Sequence, residues 1–434
     1  MRALAIVALS FALACGGARS AAEPFDAGDL PDAAEDASTP DLPDAAVPDA
    51  GPVLHTGVLN GISGLRYVSG NTAGTTDAQG RFTYEDGAPI AFYAGGLLLA
   101  RAPGAAFLTP FALTGNCAVT DGLRKLLTLL ASLDADPAAG IQLPPLDPSS
   151  LAGQTLADID LAQALAVLKP GAPLADPAAA LDDLIREVDG EAWQETSADT
   201  FSQADSAVRS QGVATDGASW FFSWRLGLSH TTLDYAVLQS RTSAIPTALL
   251  VQYGDDHIGD IDVHDRELIV PLEDSKNFEH PRVAFYDADS LSFRSSVGLD
   301  RALQPDGVPW VAVWDGWLVT SRWNPVVELH LWDMTGSFSR SIPLRPAQGR
   351  LQGLKTRAGM AYATRDSDPK TVIKINLETG TVIELFQLPG IGELEGLALT
   401  STGLHTLNAN PGGTAMEFRH HVRTRAPVRE QVCP

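Results

Sequence analysis

At 434 residues with 45 % hydrophobic content the chain can bury large cores, and its length alone predicts two or three domains. A formal charge of −23 at pH 7 counts against nucleic acid or an anionic membrane surface as partner, since both are held by clusters of Lys and Arg. Part of the excess is local, because nine acidic residues and no basic one lie between Glu23 and Asp49.

The first fourteen residues, MRALAIVALSFALA, pair one Arg with an apolar run too short to span a bilayer and suited to the core of a signal peptide, which predicts export. Ala12-Leu13-Ala14-Cys15 resembles a bacterial lipobox, departing from it in having Ala where Leu is usual three residues before the Cys. The resemblance implies cleavage before Cys15, lipid on that residue, and a cell-envelope location, as an outer-membrane lipoprotein. An ordinary secretory signal is the alternative. With Cys15 so used, Cys117 and Cys433 remain as an even pair in an oxidising compartment; a disulfide is expected, with two unpaired thiols as the alternative. Residues 15–52 are dominated by Ala, Asp and Pro, cannot build a core, and read as an extended tether.

From 53 to 115 short alternating runs broken by glycines predict strands and tight turns, with Asp77-Ala78-Gln79-Gly80 the clearest turn. TTDAQGRFTYEDG followed by IAFYAGGLLLA and LTPF resembles the prealbumin-like or carboxypeptidase-regulatory-like β-sandwich modules of bacterial surface lipoproteins. That resemblance implies adhesion or spacing. From 116 to 200 the period changes to 3.6. Leu123, Leu126, Leu127 and Leu130 form one helical stripe, and Leu181, Leu184, Ile185 and Val188 another, behind the cap Asp176 and first-turn Pro177. Leu156, Ile159, Leu165 and Leu168 give a less regular third helix behind Thr155. LDADPAAGI, Leu133 to Ile141, looks like the acidic loop after this helix in related surface lipoproteins, though two Asp alone do not make a calcium site.

Between 201 and 426 a hairpin phrase recurs. Its clearest copy is HIGDIDVHDRELIVPLE from His257, in which polar residues alternate with Ile261 and Val263, the chain turns at Asp265-Arg266, and Leu268, Val270 and Leu272 alternate again. Corresponding turns fall at Asp216, Asp315, Arg357 and Ser401, spaced by 49, 50, 42 and 44 residues when Asp265 is included. A second phrase, VAFYDADSLSF, LHLWDMTGSF and IKINLETGTV, occupies one place in three successive units. Two phrases in fixed order predict a mainly β chain ending in a β-propeller of about five blades, possibly six, after a small β-sandwich and a short helical segment. FSQADSAVRS, residues 201–210, is expected to complete the last blade, unless residues before 201 supply a sixth; 427–434 is a tail.

Chemistry is expected where inner strands begin. Alternation puts Asp260, Asp262 and His264 on one strand face beside His257, and polar groups there need partners or a cation. Oxygen-rich clusters suit calcium and His biases toward zinc; hydrogen bonds between blades are the alternative. Glu393-Leu394-Glu395-Gly396-Leu397-Ala398 is similar to the EGLA phrase of phytase-like secreted propellers and makes Glu395 a second channel candidate. With Asp260 it resembles, in idea, gluconolactonase and paraoxonase sites, where carboxylates and amides around one calcium polarise an ester; Asn324 and Asn408 would be further ligands. Trp310, Trp317 and Trp323 crowd the third unit, as blade packing or as a stacking surface for a sugar or peptide. No G-x-S-x-G elbow, HExxH helix or phosphate loop occurs in a suitable context. Two functions follow: a lipid-anchored display protein binding a protein or glycan, or a metal-dependent hydrolase or lactonase acting in the channel.

Overall fold

A computed structural model describes residues 51–115, 117–136 and 140–432, and residues 52–434 fall into one compact unit. The expected signal segment, Cys15, the expected tether as far as residue 50, and Cys433 lie outside the described residues. Cys117 is disulfide-bonded.

The chain is mainly β. At its start, a three-stranded sheet built on Leu54–Leu59 and a four-stranded sheet containing Arg66–Ser69 and Ile90–Ala94 share one core. Phe82 and Phe92 meet edge to face there, at 5.4 Å between ring centres. The expected turn forms, with Asp77 accepting from the backbone N–H of Gln79 and Arg81 and Gly80 at φ 73°. The helix Asp121–Leu133 closes this core with Leu126, Leu129, Leu130 and Leu133, and is capped by Thr120. The third helix starts later than expected, at Leu161. Its cap is Asp160, which accepts from Gln163, while Thr155 binds Asp158; Leu156 and Ile159 are core residues in the preceding loop.

The helix Pro177–Val188 begins on the expected Asp176 cap, and its apolar stripe faces Phe111, Leu123 and Leu127 on one side and Ile383 on the other. Asp182 of that helix forms a two-pronged ion pair with Arg345, both contacts at 2.8 Å, and accepts from Thr381 at 2.5 Å. These contacts fasten the helical segment to the sheets that follow.

After Gly212 come antiparallel sheets of consecutive strands. The first holds Gly212–Thr215, Trp220–Trp224, Gly227–Thr231 and Val237–Arg241. The second holds His257–Ile258 and Asp262–His264, both paired with Glu267–Glu273, then Arg282–Asp287 and Phe293–Gly298. The third runs Ala312–Trp314, Trp317–Thr320, Val326–Trp332 and Phe338–Gln348, and the fourth Leu351–Arg357, Met360–Arg365, Thr371–Asn376 and Val382–Gln387. In the fifth, Leu394–Leu399, Gly403–Ala409 and Met416–Arg425 take their outer strand from far upstream, Ala192–Thr200. The expectation for 201–210 is thereby corrected. Residues 203–206 are a short helix, and the strand that completes the last sheet lies before 201, in the segment read as helical connector.

The hairpin turns explain the repeat. Asp265 and Arg266 both have positive φ, 48° and 62°, and Asp315-Gly316 and Ala358-Gly359 do the same, one residue beyond the expected Arg357. Such turns match strand twist, which is why Asp-Gly pairs mark them in sequence. First strands of successive sheets touch in the order one, two, three, four, five, and the fifth touches the first.

Candidate functional site

Asp260 sits where those first strands meet. Its backbone N–H donates to Pro309 O at 2.9 Å and its carbonyl accepts from Val311 at 3.2 Å, joining the second sheet to the third. Its carboxylate reaches two others: Oδ1 accepts from the Val213 N–H at 2.9 Å and Oδ2 from Lys355 Nζ at 2.5 Å. Room for this group exists because its neighbours lack side chains. A Cβ on Gly396 would lie 2.7 Å from Oδ1, one on Gly353 2.8 Å from Oδ2, and one on Gly212 2.5 Å from the Asp260 Cα. Three glycines from three sheets thus enclose one buried carboxyl. Burial pushes Asp260 up to about 7, against the pull of Lys355 and the Val213 N–H.

A cavity of about 260 Å³ opens beside Asp260 at the end where the first strands begin; His257, Gln352 and Glu395 reach it from the first strands of sheets two, four and five, Gln211 from just before sheet one and Asp306 from the loop leading into sheet three. His257 Nδ1 lies 2.7 Å from Glu273 Oε1 and Nε2 2.7 Å from Gln211 Oε1. The second oxygen of Glu273 accepts from the Val308 N–H at 2.8 Å; Gly307, at φ 92°, allows that approach, since a Cβ there would fall 2.0 Å from the same oxygen. Asp306 accepts from the backbone N–H groups of Trp323 and Asn324, each at 3.1 Å.

Glu395 differs from these acids. It is 7 % exposed and lines the cavity, yet among the described residues no group hydrogen-bonds its carboxyl. Burial, then the nearby Glu393, Asp366 and Asp260, pushes it well above the usual carboxylate range and so favours its neutral form. Trp323, 37 % exposed, and Phe278 supply the apolar part of the rim, with Arg350 packed over the Trp323 ring at 5.3 Å.

The structure therefore gathers His257, Asp260, Glu395 and Trp323 on one cavity and places Asp262 and His264 elsewhere. Those two line a separate opening with Asp315, Lys355 and Arg357, at the far ends of the first strands. Asp262 accepts from Val313 and Val263, both at 2.9 Å, and His264 is exposed beside Asp265. The expected metal set does not assemble: among the described residues no three His, Cys, Asp or Glu side chains are grouped to hold an ion. Asp260 could offer an oxygen to a metal only by releasing Lys355 or Val213, and Lys355 already supplies the positive charge. Asn408 donates to Ala409 O and Glu417, and Asn324 meets Asp306 through its backbone. Trp310 is fully buried in the core between sheets three and four, which removes it as a stacking surface, and Trp317 packs partly against the same core.

Lys355, Gln211, Gln352, Glu273 and Asp306 were missed in the sequence. A signal existed for two of them: Gln211-Gly212 and Gln352-Gly353 occupy the same place in their units as Glu395-Gly396, with glycine facing Asp260 and the longer residue facing the cavity.

No family model matches the chain, and no curated protein matches it. Solved structures with similarity to it include the glutaminyl cyclase of Myxococcus xanthus, at 13 % identity over 54 % of this chain and 98 % of that one, with a TM-score of 0.39. A protein of unknown function from Bacteroides caccae shows 14 % identity over 46 % and 70 %, TM-score 0.32, and a gluconolactonase of Xanthomonas campestris 13 % over 52 % and 90 %, TM-score 0.34.

Proposed function

We propose that this is a binding protein: a five-bladed propeller, carried with a small β-sandwich on a lipid-anchored envelope tether, that receives part of a protein or glycan partner in the cavity at one mouth of its ring. The observation that carries the reading is convergence. Segments at the start of all five sheets send polar side chains to one small cavity, and among the described residues the buried, inward-facing Glu395 carboxyl there has no hydrogen-bond partner. Structural polar groups are normally satisfied within the protein; one left open toward a cavity suits a ligand.

The test is binding of candidate peptides and oligosaccharides to the purified protein and to its Trp323→Ala and Glu393→Gln variants, both at exposed positions. Loss of binding with unchanged melting supports the reading. Ligands that bind all three proteins equally refute it. For the anchor, mass spectrometry of the mature N-terminus should find lipid on Cys15, and a free N-terminus downstream of it would sink that part.

A second reading, an ester or lactone hydrolase working by acid–base chemistry, is favoured by Glu395, which lines the cavity and whose burial favours the neutral carboxyl that could donate to a leaving oxygen. Turnover of a simple lactone or aryl ester that disappears in Glu395→Gln would establish it in place of the binding role.

A further inference from the structure

We propose that the cavity recognises an organic monocation, an alkylammonium group on an apolar stem, received by Glu395 and Glu393 with its stem against Trp323 and Phe278. This rests on the cavity being the ligand site, and it names the chemistry of what enters. Five carboxyl groups and no Lys or Arg line the wall. Three of the five are committed: Asp260 to Lys355 and Val213, Glu273 to His257 and Val308, and Asp306 to two backbone N–H groups. Glu395 and Glu393 remain. Glu395 is unpartnered and Glu393 meets only the Gln352 amide, at 3.4 Å. Two available carboxyls, one of them buried, fit a cation better than a neutral hydroxyl.

Size and wall chemistry narrow the cation. Calcium takes about six to eight oxygens, and two free carboxyls beside an indole and a phenyl ring do not supply them. At about 260 Å³ the cavity is below the ~300–1,000 Å³ usual for drug-sized ligands, so it takes one small group, such as a lysine-type side chain end or a short amine. Aromatic walls suit that group twice, holding the methylenes by contact and the ammonium by attraction to the ring face.

A positive charge at contact favours the Glu395 carboxylate, opposing the burial that favours its neutral form, and any proton it holds leaves to solvent. The groups whose charge acts on Glu395 are Glu393, Asp366, Asp260 and Lys370. His257, Glu273 and Asp306 lie on the same cavity wall and Gln352 adds no charge. Affinity therefore rises with pH as Glu395 and the neighbouring Asp260 lose their protons.

The experiment is a ligand-observed NMR titration of the purified protein with butylammonium chloride, butanol, calcium chloride and methyl glucoside at pH 6 and pH 8. Butylammonium should bind, more tightly at pH 8, and butanol much more weakly. Glu395→Gln, which preserves shape, should weaken butylammonium about tenfold or more and flatten the rise in affinity between pH 6 and pH 8 to what Asp260 contributes, with melting curves confirming the fold. Equal binding of butylammonium and butanol, or binding of glucoside or calcium without the amine, overturns the inference and leaves the cavity as the ligand site. If no probe binds and the peptides and sugars above are indifferent to Trp323→Ala and Glu393→Gln, both readings fall.

Discussion

Replacing Lys355 by Met tests whether the Asp260–Lys355 pair acts as the axle of the ring. Methionine fills the space of the lysine stem and removes only the ammonium, which otherwise donates to Asp260 Oδ2 and Leu354 O. Below pH 7 Asp260 carries its proton in both proteins, so the cost is the lost hydrogen bonding, about 1–2 kcal/mol. An aspartate with an ordinary value of 3.8 raised to about 7 in the fold loses stability as pH climbs through that window. In the parent protein this loss ends near 7, where the carboxyl ionises beside Lys355. In the variant no ammonium favours ionisation, the proton is held to higher pH, and stability keeps falling by about 1.4 kcal/mol per pH unit. By pH 9 the gap widens by about 3 kcal/mol, for a total of about 4–5, the range expected when one partner of a buried ion pair is removed. Urea unfolding of both proteins at pH 6, 7, 8 and 9 measures the difference. A gap that stays constant across those pH values would refute the electrostatic account, and the Lys355→Met, Asp260→Asn double variant should show a constant one.

Gly396→Ala would put a methyl 2.7 Å from Asp260 Oδ1 and 2.8 Å from Val213 N, so thermal unfolding should report about 1–3 kcal/mol of destabilisation, while Gly298→Ala, with nothing within 4 Å, should be near neutral. Burial holds His405 down to about 3 and His421 to about 4, below the ordinary 6.5. The unfolded chain therefore takes up those protons first, and stability should fall from pH 6.5 toward pH 4 by up to about 1.4 kcal/mol per unit for each residue; a His405→Gln variant with the same acid slope as the parent in urea titrations would contradict this. Asp182→Asn weakens the two-pronged contact with Arg345 and should cost about 1.5–3 kcal/mol, with faster amide exchange in Pro177–Val188; unchanged exchange there would argue that apolar packing alone holds the helix.

The repeat was readable because its turns are chemically constrained. Asp265-Arg266 and Asp315-Gly316 bend the chain through positive φ at both residues, and Asp216-Gly217 at its glycine; few residues tolerate that, so position shows through composition. Helix starts were readable where a cap and a proline coincide, as at Asp176-Pro177, and misplaced where several Thr and Asp compete, as between Thr155 and Asp160. The closing strand was unreadable. AWQETSADT lies on the outer edge, mostly exposed, so it carries no apolar alternation to announce a strand. The site was half legible: alternation flagged Asp260 as a polar group needing a partner, but nothing in LKTR says that Lys355 turns inward to meet it across 95 residues of sequence.

Sheet five is assembled from segments of chain made more than two hundred residues apart. As the protein leaves the ribosome, Ala192–Thr200 emerges long before Met416–Arg425, the one strand with which it pairs among the described residues. Until then it waits as an unsatisfied edge, and any product terminated before residue 416 keeps it that way. Such fragments should be recruited into aggregates or cleared by proteases, so a cell producing this protein gains nothing from a partial copy.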